Sequence, residues 1–229
     1  MAIDFPGTDE YIDCGSSAGL DNMGYITISC LANLDVNTAG FLVQKGDNVT
    51  TCWALYLKGA GVVDFYQGRA TTAGLWSYAA PTTGVWHHIA VAYSNLSTGT
   101  VPNVYIDGSS VTPTSAAQGE GAAINDSAYS LTVGAYGGVP AGFVNGRLED
   151  VRVFNQAKSA TAMAALAGGY RGPIGDEVLW LPMSEVDGAT LSSAAAVVFD
   201  MSGNGNHGTP QGGCLGVASC APRMNGWIP

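Results

Sequence analysis

The sequence predicts an all-β protein of short antiparallel strands, a sandwich or a barrel, and three observations carry that expectation. Apolar and polar residues alternate with period two in short runs rich in β-branched and aromatic side chains. Turn-forming residues punctuate these runs at close intervals. The composition is the third: 47% of residues are apolar and only 11% are charged, with 32 Gly in 229 residues, where an average soluble domain is roughly 25% charged. A chain solubilised by hydroxyls and backbone amides instead of charged faces is not a helical bundle or a coiled coil. Its apolar share suffices for a sizeable core, which excludes wholesale disorder. Length allows one large domain or two small ones, and sandwiches of this size often form one.

Tyr25 to Leu31 is the first clear alternating run, and Gly40 to Gln44 the next. In Trp53 to Lys58 the residues Trp53, Leu55 and Leu57 share one face, while Tyr56 and Lys58 point the other way. Val62 to Gln67, Trp86 to Tyr93, Val101 to Ile106, Leu131 to Ala135 and Phe143 to Phe154 continue the series. Lys45-Gly46-Asp47-Asn48, Thr82-Thr83-Gly84 and Asp107-Gly108 supply turns, and the last reads as a type I′ hairpin. One stretch departs from the pattern: Ser159 to Leu166 is Ala-rich, opens on a capping Ser159 and stops at Gly168-Gly169, so a single short helix is expected. Pro173 to Glu177 reads as a connector, followed by apolar runs at Val178 to Met183 and Val197 to Phe199. From Pro210 onward an irregular tail is expected, with Trp227 as a possible docking point.

Eight basic against 18 acidic residues give a net charge of −10, which disfavours nucleic acid and anionic membranes as partners. No apolar window is long enough to span a membrane, and Met1 to Phe5 has neither a basic segment nor an apolar core, so no signal peptide is expected. Of the five cysteines, Cys14 and Cys30 lie in apolar alternating runs and read as buried free thiols. Cys214 and Cys220 could close a short loop in an oxidising compartment, and Cys52 has no partner at zinc or redox spacing.

Five strings in order then resemble the laminin G-like, concanavalin A-like lectin/glucanase jelly rolls (the pentraxin and laminin G type). Phe5-Pro6-Gly7-Thr8-Asp9-Glu10-Tyr11-Ile12-Asp13 is similar to the family's "FDGxDDYV" strand, with Pro6 in place of its Asp. Tyr25 to Leu31 is similar to "fTIsxWv", Trp86 to Val91 to "WHHvAv", and Val104-Tyr105-Ile106-Asp107-Gly108 to "lYvDG". Gly146 to Asn155 resembles "GxiDDVRiYnr". The resemblance covers about residues 3 to 170 and implies an antiparallel two-sheet jelly-roll β-sandwich. Leu179 to Glu185 and Asp200 to Thr209 resemble the strands that open the family's domain, yet here they come last. We therefore expect a laminin G-like sandwich over residues 1–172 and a C-terminal segment over 173–229 that completes it. That segment acts in cis, as in a circular permutation, or in trans by a strand swap that favours oligomers.

The family includes glucanases, whose acids lie on one strand as "ExDxxE"; no such string occurs, and Asp64, Glu120, Asp126 and Asp187 are scattered. His87 and His88 are neighbours in one strand and so face opposite ways, unsuited to sharing a metal. Calcium is the cation best matched to the acidic loops. Glu149 stands where related sandwiches use Asp for calcium, and Asp200-x-Ser202-x-Asn204-Gly205 is spaced like the start of a calcium loop, although Gln211 replaces its bidentate Glu. An Asx turn is the plainer account of Asp200. No residue is assigned to catalysis, a cofactor or a metal. Carbohydrate binding, the family's commonest non-catalytic role, needs exposed aromatic platforms, for which Trp76, Tyr78 and Tyr136 are candidates, whereas Trp86 and Trp180 are expected in the core. The sequons at Asn48, Asn95 and Asn125 are common by chance in so Ser/Thr-rich a chain.

With no signal peptide and a Lys-poor, Gly/Ser/Thr/Ala-rich chain, the leading expectation is a non-enzymatic protein of a phage or virus particle. It would be a capsid decoration or tail component that oligomerises or docks on capsid or tail proteins. The alternative is a lectin-like module binding cell-surface glycans, and a glycoside hydrolase is a distant third.

Overall fold

A computed structural model describes residues 1–47, 50–138, 140–184, 191, 196–218 and 221. Its elements in chain order are β1 (Ala2–Pro6), β2 (Tyr11–Asp13), β3 (Tyr25–Leu34), β4 (Ala39–Gly46), β5 (Thr51–Gly59), β6 (Val62–Gln67), β7 (Gly74–Ala79) and β8 (Trp86–Ser94). Then come β9 (Asn103–Ile106), β10 (Ser109–Val111), β11 (Ser115–Ala117), β12 (Leu131–Val133), β13 (Asn145–Phe154), α1 (Ala160–Ala167), β14 (Glu177–Leu181), β15 (Thr209–Gln211) and β16 (Leu215–Val217).

The strands form two antiparallel sheets of eight, the two-sheet sandwich that the sequence predicts. One runs β10-β9-β8-β3-β13-β1-β16 with β14 also on β13, and the other runs β11-β7-β6-β5-β4-β12-β2-β15. Ile26, Ile28 and Cys30 of β3 with Ile89 and Val91 of β8 meet Leu55, Leu57, Phe65 and Trp76 of the second sheet in one continuous core. Period-two alternation is the cause: β3, β5, β6 and β8 each turn an apolar row inward. Cys14, Cys30, Cys52 and Cys214 are buried free thiols, and burial pushes the Cys30 thiol up to about 12, so it packs as a small hydrophobe. Cys220 and Trp227 lie outside the described residues.

Strand β13 organises the first sheet. Its first half pairs with β1 (Ile3 opposite Leu148), its second half with β14 (Val151 opposite Leu181), so β1 and β14 share one edge end to end. At the junction Asp150 adopts φ 53°, and the register against β3 shifts between Glu149 and Arg152. Buried Arg152 fastens this bulge. Its Nε and Nη2 donate to Asp150 Oδ1 at 3.0 and 2.9 Å, its Nη1 donates to Gly172 O at 2.7 Å and Glu177 Oε1 at 3.3 Å, and its guanidinium lies 4.2 Å from the Trp180 ring centroid. The C-terminal segment contributes β14, β15 and β16 to these same sheets. The irregular tail expected from Pro210 onward instead holds two three-residue strands, β15 on β2 and β16 on β1, too short for alternation to register.

The Asp107-Gly108 hairpin has φ 50° and 76°, the pair of positive values a type I′ turn requires. Gly108 also lies under α1, where a Cβ would come within 2.9 Å of Ala164 Cα. Helix α1 follows the sequence expectation: Ser159 Oγ accepts from Ala162 N–H at 3.3 Å, and the helix ends at Gly168. Met163 and Leu166 pack on Ala90, Ala92, Tyr105 and Phe154, covering the outer face of the first sheet. Replacing Ser159 by Ala should therefore cost about 1 kcal/mol, read as a lower denaturation midpoint with an unchanged slope.

Candidate functional site

Among the described residues no helix lies on the outer face of the second sheet, and there β4, β5 and β6 turn aromatic side chains away from the core. In β5 the inward Trp53, Leu55 and Leu57 leave Ala54, Tyr56 and Lys58 facing out by alternation. Register places Phe41, Tyr56, Asp64 and Ser77 in one row across β4 to β7, and Ala54, Tyr66 and Leu75 in the next. The small Ala54 between the larger side chains leaves room for a cleft. That cleft, about 220 Å³, is lined by Phe41, Thr51, Tyr56 and Tyr66.

Its walls are held from behind. Phe41 stacks on Tyr56 with centroids 4.9 Å apart and planes 14° from parallel, and the Tyr136 ring meets Phe41 edge-on at 4.6 Å. Such pairs contribute about 0.5–1.5 kcal/mol beyond their buried area. A register shift between Phe41 and Val43 aims the Phe41 ring outward. Gly142, at φ 59°, accepts the Phe41 N–H at 2.9 Å, and a Cβ there would approach the ring to 2.9 Å.

Below the aromatic wall, Tyr56 Oη donates to Asp64 Oδ2 at 3.0 Å. Asp64 is fully buried, its Oδ1 has no partner among the described residues, and the mostly exposed Lys58 places Nζ 4.0 Å from Oδ2. Burial, and then the Asp64 carboxylate, push the Tyr56 phenol well above its ordinary range. The cleft thus offers ring surfaces, three neutral hydroxyls and one carboxylate behind a phenol. Apolar walls with a few placed polar groups suit a small amphipathic ligand.

Of the platform candidates, Tyr136 alone stands at the cleft. Trp76 and Tyr78 do share a face, as alternation requires, but it is the core face; Leu75 and Ser77 take the outer one. Trp86 is half-buried and not in the core, while Trp180 is buried against Arg152. The signal for Tyr56 was present in the alternation of Trp53 to Lys58. Alternation in Val62 to Gln67 likewise sets Tyr66 on the face opposite Val63 and Phe65, but Phe41 carried no such signal, because a register shift brings it to the cleft.

The other singled-out residues lie elsewhere. His88 is buried with Nε2 2.9 Å from Ser29 Oγ, while His87, on the opposite face, pairs with Asp107 at 2.7 Å. Glu149 Oε1 lies 3.8 Å from Arg171, and Asp150 serves Arg152. Asp200 forms the Asx turn: Oδ1 accepts the Trp180 and Ser202 N–H groups at 2.9 Å, and Oδ2 accepts the Asn206 N–H at 2.9 Å. It therefore docks the 200–206 loop on β14. Asp126 accepts from Trp53 Nε1 at 3.1 Å and Asn22 N–H at 2.6 Å, and Glu120 bridges to Thr72 through its backbone. Among the described residues no group of three or more His, Cys, Asp or Glu side chains gathers as a metal site, and no helix is long and apolar enough to cross a membrane. The sequon residue Asn95 accepts from Arg69 Nη2 at 3.2 Å, and Asn125 accepts from Ser127 at 3.0 Å. Asn48, Asp187 and most of the segment after Ser184 up to Leu191 fall outside the described residues.

Residues 6–164 match the family model of the concanavalin A-like lectin/glucanases superfamily, in its laminin G form. The chain belongs to this superfamily. Solved structures similar to this chain include a candidate carbohydrate-binding protein from Bacteroides ovatus, 16% identical with a TM-score of 0.68. That match covers 97% of this chain and 61% of the other, so the chain spans less than two thirds of that protein's length. The heptameric SAP-like pentraxin of Limulus polyphemus is 17% identical over 72% of this chain and 81% of its own, at a TM-score of 0.53. A CBM40 module of a Ruminococcus gnavus IT-sialidase, solved with α2,3-sialyllactose, is 17% identical over 64% of this chain and 84% of its own, at 0.50. At such identities the likeness is one of fold. No curated protein matches the sequence.

Proposed function

We propose that this protein is a carbohydrate-binding module that holds its ligand, without catalysis, in the aromatic cleft on the outer face of the second sheet. The observation that carries this reading is the grouping of Phe41, Tyr56 and Tyr66 around the 220 Å³ cleft, on a sheet face that no helix among the described residues covers. Aromatic rings stack on the C–H faces of sugars while hydroxyls at the margin pair with sugar hydroxyls, the mixture of apolar wall and polar rim that Tyr supplies. The carbohydrate roles of the Bacteroides ovatus and Ruminococcus gnavus proteins support it. Asp64 is the carboxylate that the described contacts bring to the cleft, and it is engaged by Tyr56. Most glycoside hydrolases use two carboxyl groups flanking the bond. The virion role expected from composition draws no support from these relatives, so the lectin-like reading leads.

An array of immobilised glycans probed with the full-length protein tests this. Saturable binding to a restricted set of glycans is expected. Tyr66→Ala should weaken it by about tenfold or more with the melting temperature nearly unchanged, since the Tyr66 ring lies outside the core. A blank array with folded protein, or binding indifferent to Tyr66, would remove the reading.

A further inference from the structure

The polar chemistry of the cleft is one-sided. Tyr56 has one hydroxyl proton, and it is donated to Asp64 Oδ2 at 3.0 Å. Asp64 is fully buried and, as a carboxylate, only accepts. Its Oδ1 already lacks a partner among the described residues. Turning the Tyr56 proton toward a ligand would strand the second oxygen of a buried carboxylate as well, the costly kind of unmade hydrogen bond. Tyr56 Oη therefore presents lone pairs to the cleft.

A ligand group beside Tyr56 must bring the donor. A sugar hydroxyl does; a carboxylate or sulfate brings only lone pairs and a charge of the same sign as Asp64. Lys58 is the cation the described contacts place here, and its charge is set against Asp64 at 4.0 Å. The remaining lining hydroxyls, on Thr51 and Tyr66, are neutral. The net charge of −10 adds a field that repels anions.

We infer that the cleft selects neutral, hydroxyl-bearing glycans over acidic ones, with Tyr56 as the group that reads the ligand donor and Asp64 as the positioning residue that fixes the Tyr56 proton. This inference rests on the glycan-binding reading above.

The test uses full-length protein and paired neutral and acidic probes: lactose with sialyllactose, xylo-oligosaccharides with their glucuronic-acid-bearing forms, and neutral with sulfated galactans. The neutral member of a bound pair should bind about tenfold or more tightly than its acidic partner. In Asp64→Asn the side-chain amide can donate to Tyr56 Oη, releasing the phenol proton to the ligand and removing the charge, so the ratio should fall toward unity. If Asp64 merely shaped the fold, both members would weaken together and the ratio would stand. Should Asp64→Asn fail to fold, Tyr56→Phe carries the test: neutral binding falls while acidic binding does not. Acidic members binding as tightly as neutral ones, or a ratio unchanged in the folded variants, overturns the selectivity and leaves glycan binding intact. A wholly blank array overturns both.

Discussion

Trp76→Ala is expected to lower the melting temperature by roughly 6–20 °C, from a loss of about 3–5 kcal/mol for emptying a buried Trp site. Trp76 is 0% exposed, with its ring centroid 6.1 Å from that of Phe65 and 5.5 Å from that of Tyr93. Gly74 lies against the six-membered ring, where a Cβ would collide with Cη2 and Cζ3. The site is thus shaped around the indole and cannot collapse without moving strands of the second sheet. The Trp76 Nε1 has no partner among the described residues, so Trp76→Phe removes no hydrogen bond and should retain most of the stability. Thermal melts of both variants check this. A Trp76→Ala protein that melts like the wild type but no longer binds glycan would make Trp76 a platform after all. Tyr66→Ala is the converse case, losing binding while keeping the fold.

The contrast between these tyrosine and tryptophan positions marks where sequence reasoning stops. Period-two alternation sorts residues into two faces but does not say which face is the core. For Trp53 to Lys58 the apolar side is plain, so Tyr56 reads as outward. Leu75-Trp76-Ser77-Tyr78 offers two aromatics on one side and only Leu75 on the other, and the larger pair went inward because the facing sheet presents Tyr93 and the neighbouring strand Phe65. Phe41 reaches the cleft through a register shift that one strand cannot reveal. Tyr66 meets it only because β5 and β6 pair Ala54 with Tyr66. Local signals fared better: the Asp107-Gly108 turn and the Ser159 cap are decided by residues near in sequence. The string Gly146 to Asn155 was recognisable, yet its physical role, a bulge at Asp150 fastened by Arg152, depends on Gly172, Glu177 and Trp180 from the far side of α1.

His88 should make the protein acid-sensitive above the range in which most carboxylates titrate. Burial, reinforced by Arg171 and Arg152 and opposed by Asp107, lowers its pKa from 6.5 to about 4. The unfolded chain takes up a proton on this residue below its ordinary pKa, whereas the folded protein does not until about 4. The stability it supports is therefore complete above the ordinary value and is lost as pH falls toward the folded value, by about 3 kcal/mol in all. The geometry gives the reason: Nε2 is tied to Ser29 Oγ at 2.9 Å, and Nδ1 is buried with no partner among the described residues, so a second N–H would have nowhere to donate. Denaturant unfolding at about pH 7 and about pH 4.5 should show a wild-type loss of about 2–3 kcal/mol from this group. His88→Gln, whose amide can keep the Ser29 contact without titrating, should flatten that part of the profile. Other groups act on both proteins alike. Glu10, where burial is outweighed by the Thr8 and Asp9 amides, and Asp21, where it is outweighed by Lys45 and Ser16, are held below their ordinary values and destabilise further at lower pH. Asp126, where burial prevails over the Asn22 and Trp53 donors, is raised and works the other way. The difference between wild type and His88→Gln isolates the imidazole, and two parallel profiles would show that this ring is protonated in the fold without cost.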